Sequence, residues 1–161
     1  MKTFTQKFIG LLALVFTMSF TTNAQEIGEI YQGGYVFYVD ETGTRGFVAA
    51  LEDSENTYEW GCYGQYLHGA EGIVLGSGYQ NTVDILSQGC TSENGEIIAA
   101  QFVQEYESEG YNDWFLPSKD ELTLFYNNLN LLDIEISLDD FYWTSSNDLN
   151  SGVAYFNAYR L

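Results

Sequence analysis

The sequence predicts one α+β domain in which two helices pack on short antiparallel strands and long irregular loops connect them. Two segments have the apolar spacing of amphipathic helices, and one segment has the composition and turn residues of a hairpin. Residues 52–82 are rich in glycine, acidic and aromatic residues and have no sustained periodicity. Such a stretch is typical of long surface loops.

Residues 1–24 predict a secretory signal peptide. Lys2 and Lys7 precede an apolar run of thirteen residues, and small residues ending at Ala24 provide a cleavage site. The run is shorter than the ~20 residues that a membrane-spanning helix needs. We therefore expect a secreted or extracytoplasmic chain of residues 25–161 that forms a single domain, without a transmembrane segment after processing. The sequence leaves open whether it stays in the periplasm, on the outer surface or outside the cell.

A hairpin is the first predicted element of the mature chain. Residues 35–40 alternate large apolar and aromatic side chains, and residues 46–51 form a second apolar run. Asp40, Thr42 and Gly43 lie between them and supply turn residues. The two runs therefore predict antiparallel strands joined by a short connection.

The first predicted helix follows Cys90. Ile98, Phe102 and Tyr106 recur every four residues and so share one helical face. Gly110 then provides a stop signal.

The second predicted helix begins after Pro117, the only proline of the chain. Ser118 and Glu121 have the spacing of a capping box, in which each side chain accepts a hydrogen bond from the backbone N–H of the other residue. Asp120 and Glu121 also lie where the helix dipole favours negative charge, so we prefer a structural role for them over an acid/base or ligand pair. Apolar residues then recur at helical spacing at Leu122, Phe125, Tyr126 and Leu129.

Two more strands are predicted near the C-terminus. Residues 141–144 and residues 153–159 are rich in apolar and aromatic side chains, and residues 145–152 form a turn between them.

The charge of the chain argues against polyanionic partners. Without the signal peptide, three basic residues face 23 acidic ones, a formal charge of −20. Nucleic acids and sulfated polyanions are bound by clustered lysine and arginine side chains, and no such cluster exists here. We therefore expect neither class of partner.

The two cysteines, Cys62 and Cys90, are expected to form a disulfide in an oxidising compartment. Closing this loop would stabilise the fold by ~3 kcal/mol. Two free buried thiols and a metal pair with His68 are the alternatives, although two cysteines and one histidine make a poor zinc site.

Five segments between residues 30 and 147 carry a family resemblance. They are residues 33–40, 46–50, 76–82, 114–122 and 142–146. The fourth contains Trp114, Pro117, Ser118 and Glu121, and the fifth contains Trp143. In this order they resemble the C-terminal domain family of Legionella collagen-like adhesins, a bacterial domain of unknown function. The resemblance implies a fold similar to C-type lectin-like domains and to sulfatase-modifying factors, with these five residues as its structural motif.

The same resemblance implies a non-catalytic binding or adhesion module whose ligand is an unknown glycan or protein surface. An enzyme of unknown reaction on the same scaffold and a structural component of a surface assembly are the alternatives. No catalytic residues are expected, because the only histidine lies in a glycine-flanked loop and no serine elbow occurs. Family members close with a further strand. Either residues 153–161 replace that strand, or the domain is truncated and a missing partner strand would expose a strand edge to self-association.

Four aromatic residues of the predicted loops are candidate ligand contacts: Trp60, Tyr63, Tyr66 and Tyr79. Exposed rings there would stack on sugars or contact a protein, whereas buried rings would anchor the loops to the domain. The excess of acidic residues also leaves a structural calcium ion open, with Asp139, Asp140, Asn147 and Asp148 as candidate oxygen ligands. No other cofactor is expected.

Overall fold

The structure is a computed structural model of the chain, and it describes residues 25–132, 141–147 and 155–157. The predicted signal peptide, Asp139, Asp140 and Asp148 lie outside the described residues.

A three-stranded antiparallel sheet of β1 (Ile30–Tyr31), β2 (Gly34–Val39) and β3 (Gly46–Ala50) has β2 at its centre. The predicted hairpin is confirmed as β2 and β3. Val36 pairs with Val48, and the next pair is Tyr38 with Phe47. Phe37 therefore has no partner residue on β3 and forms a bulge. The bulge explains why Val36 and Phe37 are both buried although they are consecutive.

The turn between β2 and β3 is closed by the side chain of Asp40. Its carboxylate accepts hydrogen bonds from the hydroxyl and backbone N–H of Thr42 and from the backbone N–H groups of Thr44 and Arg45. The Thr42 hydroxyl contributes most to lowering the pKa of Asp40, and the backbone donors act in the same direction.

Four helices occur in the described part of the chain: α1 (Gly78–Ser87), α2 (Ala99–Glu105), α3 (Lys119–Asn127) and the single turn α4 (Leu129–Leu132). The two predicted helices are α2 and α3. Helix α2 ends at Glu105, where Tyr106 takes an extended conformation, so Gly110 lies beyond the helix and is not its stop. The prediction of only two helices is therefore wrong in number.

Helix α1 replaces part of the predicted loop over residues 52–82. Its buried positions are Gly78, Asn81, Thr82 and Ile85, which have the spacing of one helical face. Only one of the four is a large apolar residue, so hydrophobic periodicity does not reveal the helix. The polar members are accommodated because Asn81 and Thr82 are hydrogen-bonded inside the protein.

The predicted C-terminal strand pair is confirmed in a shorter form. Strand β4 (Phe141–Trp143) pairs antiparallel with β5 (Tyr155–Asn157). Among the described residues, no helix is long and apolar enough to cross a membrane.

The larger buried cluster is built around Trp60, Leu67, Ile85 and Ile98 and includes the two cysteines. Cys62 and Cys90 form a disulfide with a Cα–Cα distance of 4.8 Å. The predicted pairing is thus confirmed, and the bridge joins the long loop to the segment that precedes α2.

A smaller cluster lies on α3 and at the start of α4. Leu122 and Tyr126 are buried, and Phe125 and Leu129 are partly buried. These are the four positions of the predicted apolar face. Rings from two strands contact it, because Phe37 packs edge-on against Phe125 and Tyr142 against Tyr126.

Candidate functional site

The capping box of α3 also holds the glycine-rich loop, residues 69–78, which contains four glycines. Ser118 Oγ accepts from the N–H of Glu121, and the Glu121 carboxylate accepts from the N–H of Ser118 at 2.7 Å, as predicted. The same carboxylate also accepts from the N–H of Gly76 at 2.7 Å and, more weakly, from that of Gly78 at 3.4 Å. Glu121 is 1% exposed. One buried carboxylate therefore serves the first turns of both α1 and α3.

Glycine is required at position 78 by this arrangement. A Cβ atom built there would collide with the Glu121 carboxylate and would lie 2.8 Å from the carbonyl oxygen of Leu116. The reason is the close approach of α1 to the cap of α3, which leaves no space for a Cβ atom.

The segment after β4 contains two buried serines, Ser145 and Ser146, which bond to three other segments. Ser145 accepts from the Asn81 side chain and donates to the carbonyl oxygen of Pro117, while Ser146 donates to that of Gly72. Both serines are at most 1% exposed. Each hydroxyl is engaged with a neighbouring segment, so these serines connect the glycine-rich loop, α1 and the start of α3.

The tryptophans of the sequence motif connect neighbouring segments through their indole N–H groups. Trp143 donates its indole N–H to the carbonyl oxygen of Tyr58 at 2.7 Å, and Trp114 donates to that of Tyr111 at 2.9 Å. Pro117 is partly buried and accepts from the backbone N–H of Ser145. The motif thus ties the start of α3 to the loops on either side.

Asn147 is the one calcium candidate that the structure describes. It is buried, and its side-chain amide donates to the carbonyl oxygen of Leu67. Its Oδ1 atom has no hydrogen-bond partner among the described residues. No group of three or more acidic, histidine or cysteine side chains within residues 25–132 and 141–147 has the geometry of a metal site. Calcium therefore stays a hypothesis about the neighbouring acidic residues.

The four candidate ligand aromatics divide by burial. Trp60 is 2% exposed, and its indole N–H donates to the carbonyl oxygen of Thr144 at 2.7 Å. It belongs to the core, so for this residue the structure favours the alternative in which a buried ring anchors the loop. Tyr63 is 79% exposed, Tyr79 is 58% exposed and Tyr66 is 40% exposed. These three rings are accessible.

Helix α1 separates the accessible tyrosines. The loop that carries Tyr66 runs along one side of α1, where the Gln88 side chain donates to the carbonyl oxygen of His68. Tyr79 projects from the opposite side, about 180° away from Gln88 at 100° per residue, and packs edge-on against Phe115. The structure therefore does not unite the four candidates in one site.

Tyr66 forms a small polar cluster with its neighbours. Its phenol donates to a carboxylate oxygen of Glu71 at 2.6 Å, and the His68 ring packs edge-on against it. This hydrogen bond is the main cause that lowers the pKa of Glu71 and raises the pKa of Tyr66. The other carboxylate oxygen of Glu71 accepts from the N–H of Gly69, so the cluster shapes the loop.

Replacing Tyr66 by phenylalanine is expected to raise the pKa of Glu71 toward its ordinary value of 4.5. A lowered carboxyl pKa stabilises the folded protein above the unfolded-state pKa, and this contribution is lost as pH falls through the folded-state pKa. The variant should therefore lose stability at neutral pH and not in strong acid. A carboxyl NMR titration measures the shift, and Tyr63→Phe is the control. An unchanged Glu71 titration in Tyr66→Phe contradicts the assignment.

Exposed apolar side chains concentrate around α1. Seven of the fourteen large hydrophobic side chains exposed in the described part of the chain lie in residues 63–83. Five of them form what we call the apolar strip, in the turn before α1 and on its outer surface: Ile73, Val74, Leu75, Tyr79 and Val83. The sequence indicated only Tyr79, because α1, which also carries Val83, was not predicted and the exposure of residues 73–75 depends on how the turn before α1 packs.

The backbone under the apolar strip is held by hydrogen bonds. The carbonyl oxygen of Ile73 accepts from the N–H of Asp120, and that of Val74 accepts from the hydroxyls of Ser77 and Ser118. Together with the Glu121 bond to Gly76, these contacts fix the turn before α1. The residues of the apolar strip therefore lie on a backbone that is fixed by hydrogen bonds.

Comparison with known proteins adds no family: no family model, no curated protein and no solved structure matches this chain.

Proposed function

We propose that the protein is a non-catalytic binding module that recognises a protein partner through the apolar strip. The observation that carries the proposal is the coincidence of exposure and rigidity. Val74 is 60% exposed and Tyr79 is 58% exposed, although the turn beneath them is clamped by Glu121 and Ser118. Exposed apolar groups held in one arrangement lose little entropy on binding, which is the property of a recognition surface.

The composition of the strip favours a protein partner over a glycan. Sugar rings stack on aromatic faces with polar groups around them, but four of the five strip residues are aliphatic. Acidic residues such as Asp84 and Asp120 lie on the two helices that border the strip. The complementary partner surface is therefore apolar at its centre and basic at its rim.

The scaffold and location that we propose are those implied by the family resemblance. The module has a C-type lectin-like fold, acts in adhesion at the cell envelope or outside the cell, and reaches that compartment through its signal peptide. The Cys62–Cys90 disulfide supports an oxidising compartment, since such bridges are rare in the cytosol.

Site-specific photo-crosslinking in the cells that produce the protein tests the proposal. A photoreactive phenylalanine analogue at Tyr79 should yield a discrete adduct with another protein, and the same analogue at Tyr111, exposed outside the strip, should not. An adduct with a second copy of this chain would favour a structural assembly instead. Equal labelling from both positions contradicts the proposal.

Strip variants then measure the affinity for that partner. Val74→Ser combined with Val83→Ser is expected to weaken binding at least about tenfold, because each removes exposed apolar contact area. The free energy of unfolding should change by less than ~1 kcal/mol, because both valine side chains are exposed. The matched control is Tyr111→Ser. Unchanged affinity in the double variant would rule out the strip as the contact surface.

A further inference from the structure

A cleft of about 320 Å³ lies between residues 57–59 and residues 92–97, and none of the residues that line it belongs to the apolar strip. Trp143 forms one wall and Tyr58 another, and Glu59 and Glu96 are at its border. This volume is at the small end of the range for small-molecule sites. The cleft therefore combines aromatic surface with two carboxylates.

The walls of the cleft are held in place. The Trp143 indole N–H donates to the carbonyl oxygen of Tyr58 at 2.7 Å, and a Glu59 carboxylate oxygen accepts from the N–H of Glu93 at 2.9 Å. Ser92 donates its hydroxyl to the carbonyl oxygen of Glu96 at 2.8 Å. The Cys62–Cys90 disulfide joins the chain three residues after Glu59 to the chain two residues before Ser92.

The charge of the cleft is not neutralised by the described side chains. Within residues 25–132 and 141–147 the only pair within salt-bridge distance is His68 with Glu71. Glu59 and Glu96 thus have no lysine or arginine partner there. Both are exposed, so they are expected to attract a cation that approaches from solvent.

We propose that this cleft binds an alkylammonium group between the aromatic side chains and the two carboxylates. An ammonium ion is attracted by the face of an aromatic ring and by carboxylates, and its alkyl stem covers apolar surface. A calcium ion requires six to eight oxygen ligands, more than two carboxylates supply. The ammonium comes either from a lysine side chain of a protein or from a free polyamine.

NMR titration of the purified protein tests the ligand chemistry. Nα-acetyl-lysine N-methylamide should shift the Trp143 indole N–H and the Glu93 amide signals, while the Nε-acetylated analogue, which lacks the charge, should not. Cadaverine is the second arm. Tighter binding of the lysine amide than of cadaverine assigns the site to a lysine side chain of a protein. Tighter binding of cadaverine assigns it to a free polyamine. Equal shifts with the charged and neutral analogues overturn the proposal.

Matched charge variants locate the site. Glu59→Gln combined with Glu96→Gln is expected to weaken ammonium binding about tenfold, because both charge-assisted contacts become neutral. Glu41→Gln combined with Glu105→Gln removes the same charge from exposed positions outside the cleft and should leave affinity unchanged. Equal weakening in both double variants would mean general attraction to an acidic surface and would overturn the site. The result of this test does not depend on whether the apolar strip binds a protein.

Discussion

Replacing Glu121 by alanine is expected to lower the free energy of unfolding by about 4 kcal/mol. The variant leaves the N–H of the buried Ser118 without its acceptor, and also the N–H of Gly76, whose hydrogen bond to Glu121 is only partly buried. Such a loss costs about 1–3 kcal/mol, with the Gly76 bond at the lower end. It also removes half of the capping box of α3. Urea unfolding, followed by tryptophan fluorescence and circular dichroism, measures the change.

Asp120→Asn is the matched control for Glu121. Asp120 is the adjacent residue in the same helical turn, but it is exposed. Its replacement removes one negative charge near the helix start and should cost less than about 1 kcal/mol. Similar losses for Glu121→Ala and Asp120→Asn would show that the buried hydrogen bonds of Glu121 contribute little beyond its charge.

Breaking the Cys62–Cys90 disulfide is expected to reduce the free energy of unfolding by about 3 kcal/mol. The bridge closes a loop of 28 residues, and removing it lets the unfolded chain gain conformational entropy. Cys62→Ala combined with Cys90→Ala should show a lower urea midpoint than the oxidised protein. Both cysteines belong to the larger buried cluster, so part of the loss comes from packing.

The reductant provides the control for that experiment. Dithiothreitol should lower the midpoint of the unmodified protein and leave the double alanine variant unchanged, because the variant has no disulfide to reduce. If the reduced protein and the oxidised protein unfold at the same urea concentration, the bridge does not stabilise the fold. Reduction should also weaken ammonium binding in the proposed cleft, because the bridge joins the chain close to residues 57–59 and residues 92–97.

The clamp around Glu121 connects stability with the proposed recognition surface. Ile73 and Val74 are exposed, yet their carbonyl oxygens are bonded to the start of α3. The buried serines after β4 hold the same loop from its other side through Gly72. We infer that Ser118, Glu121 and the serines after β4 support this loop, whose exposed residues form the proposed binding surface.

Local patterns were enough to predict the elements whose signals lie within a few residues. The β2–β3 hairpin follows from apolar runs around a turn, and the start of α3 follows from Ser118 and Glu121, since a capping box is a contact between residues three positions apart. The disulfide was predictable because Cys62 and Cys90 are the only two cysteines in the chain.

Long-range contacts account for what the sequence did not reveal. Helix α1 buries Asn81 and Thr82, and these residues are stable there only because Gly72, Ser145 and Leu116 provide hydrogen-bond partners from distant segments. For the same reason the sequence could not show that Trp60 is core while Tyr79 is exposed. The burial of Trp60 and the exposure of the apolar strip depend on which segments pack together. That packing is a property of the whole folded chain and not of any local pattern.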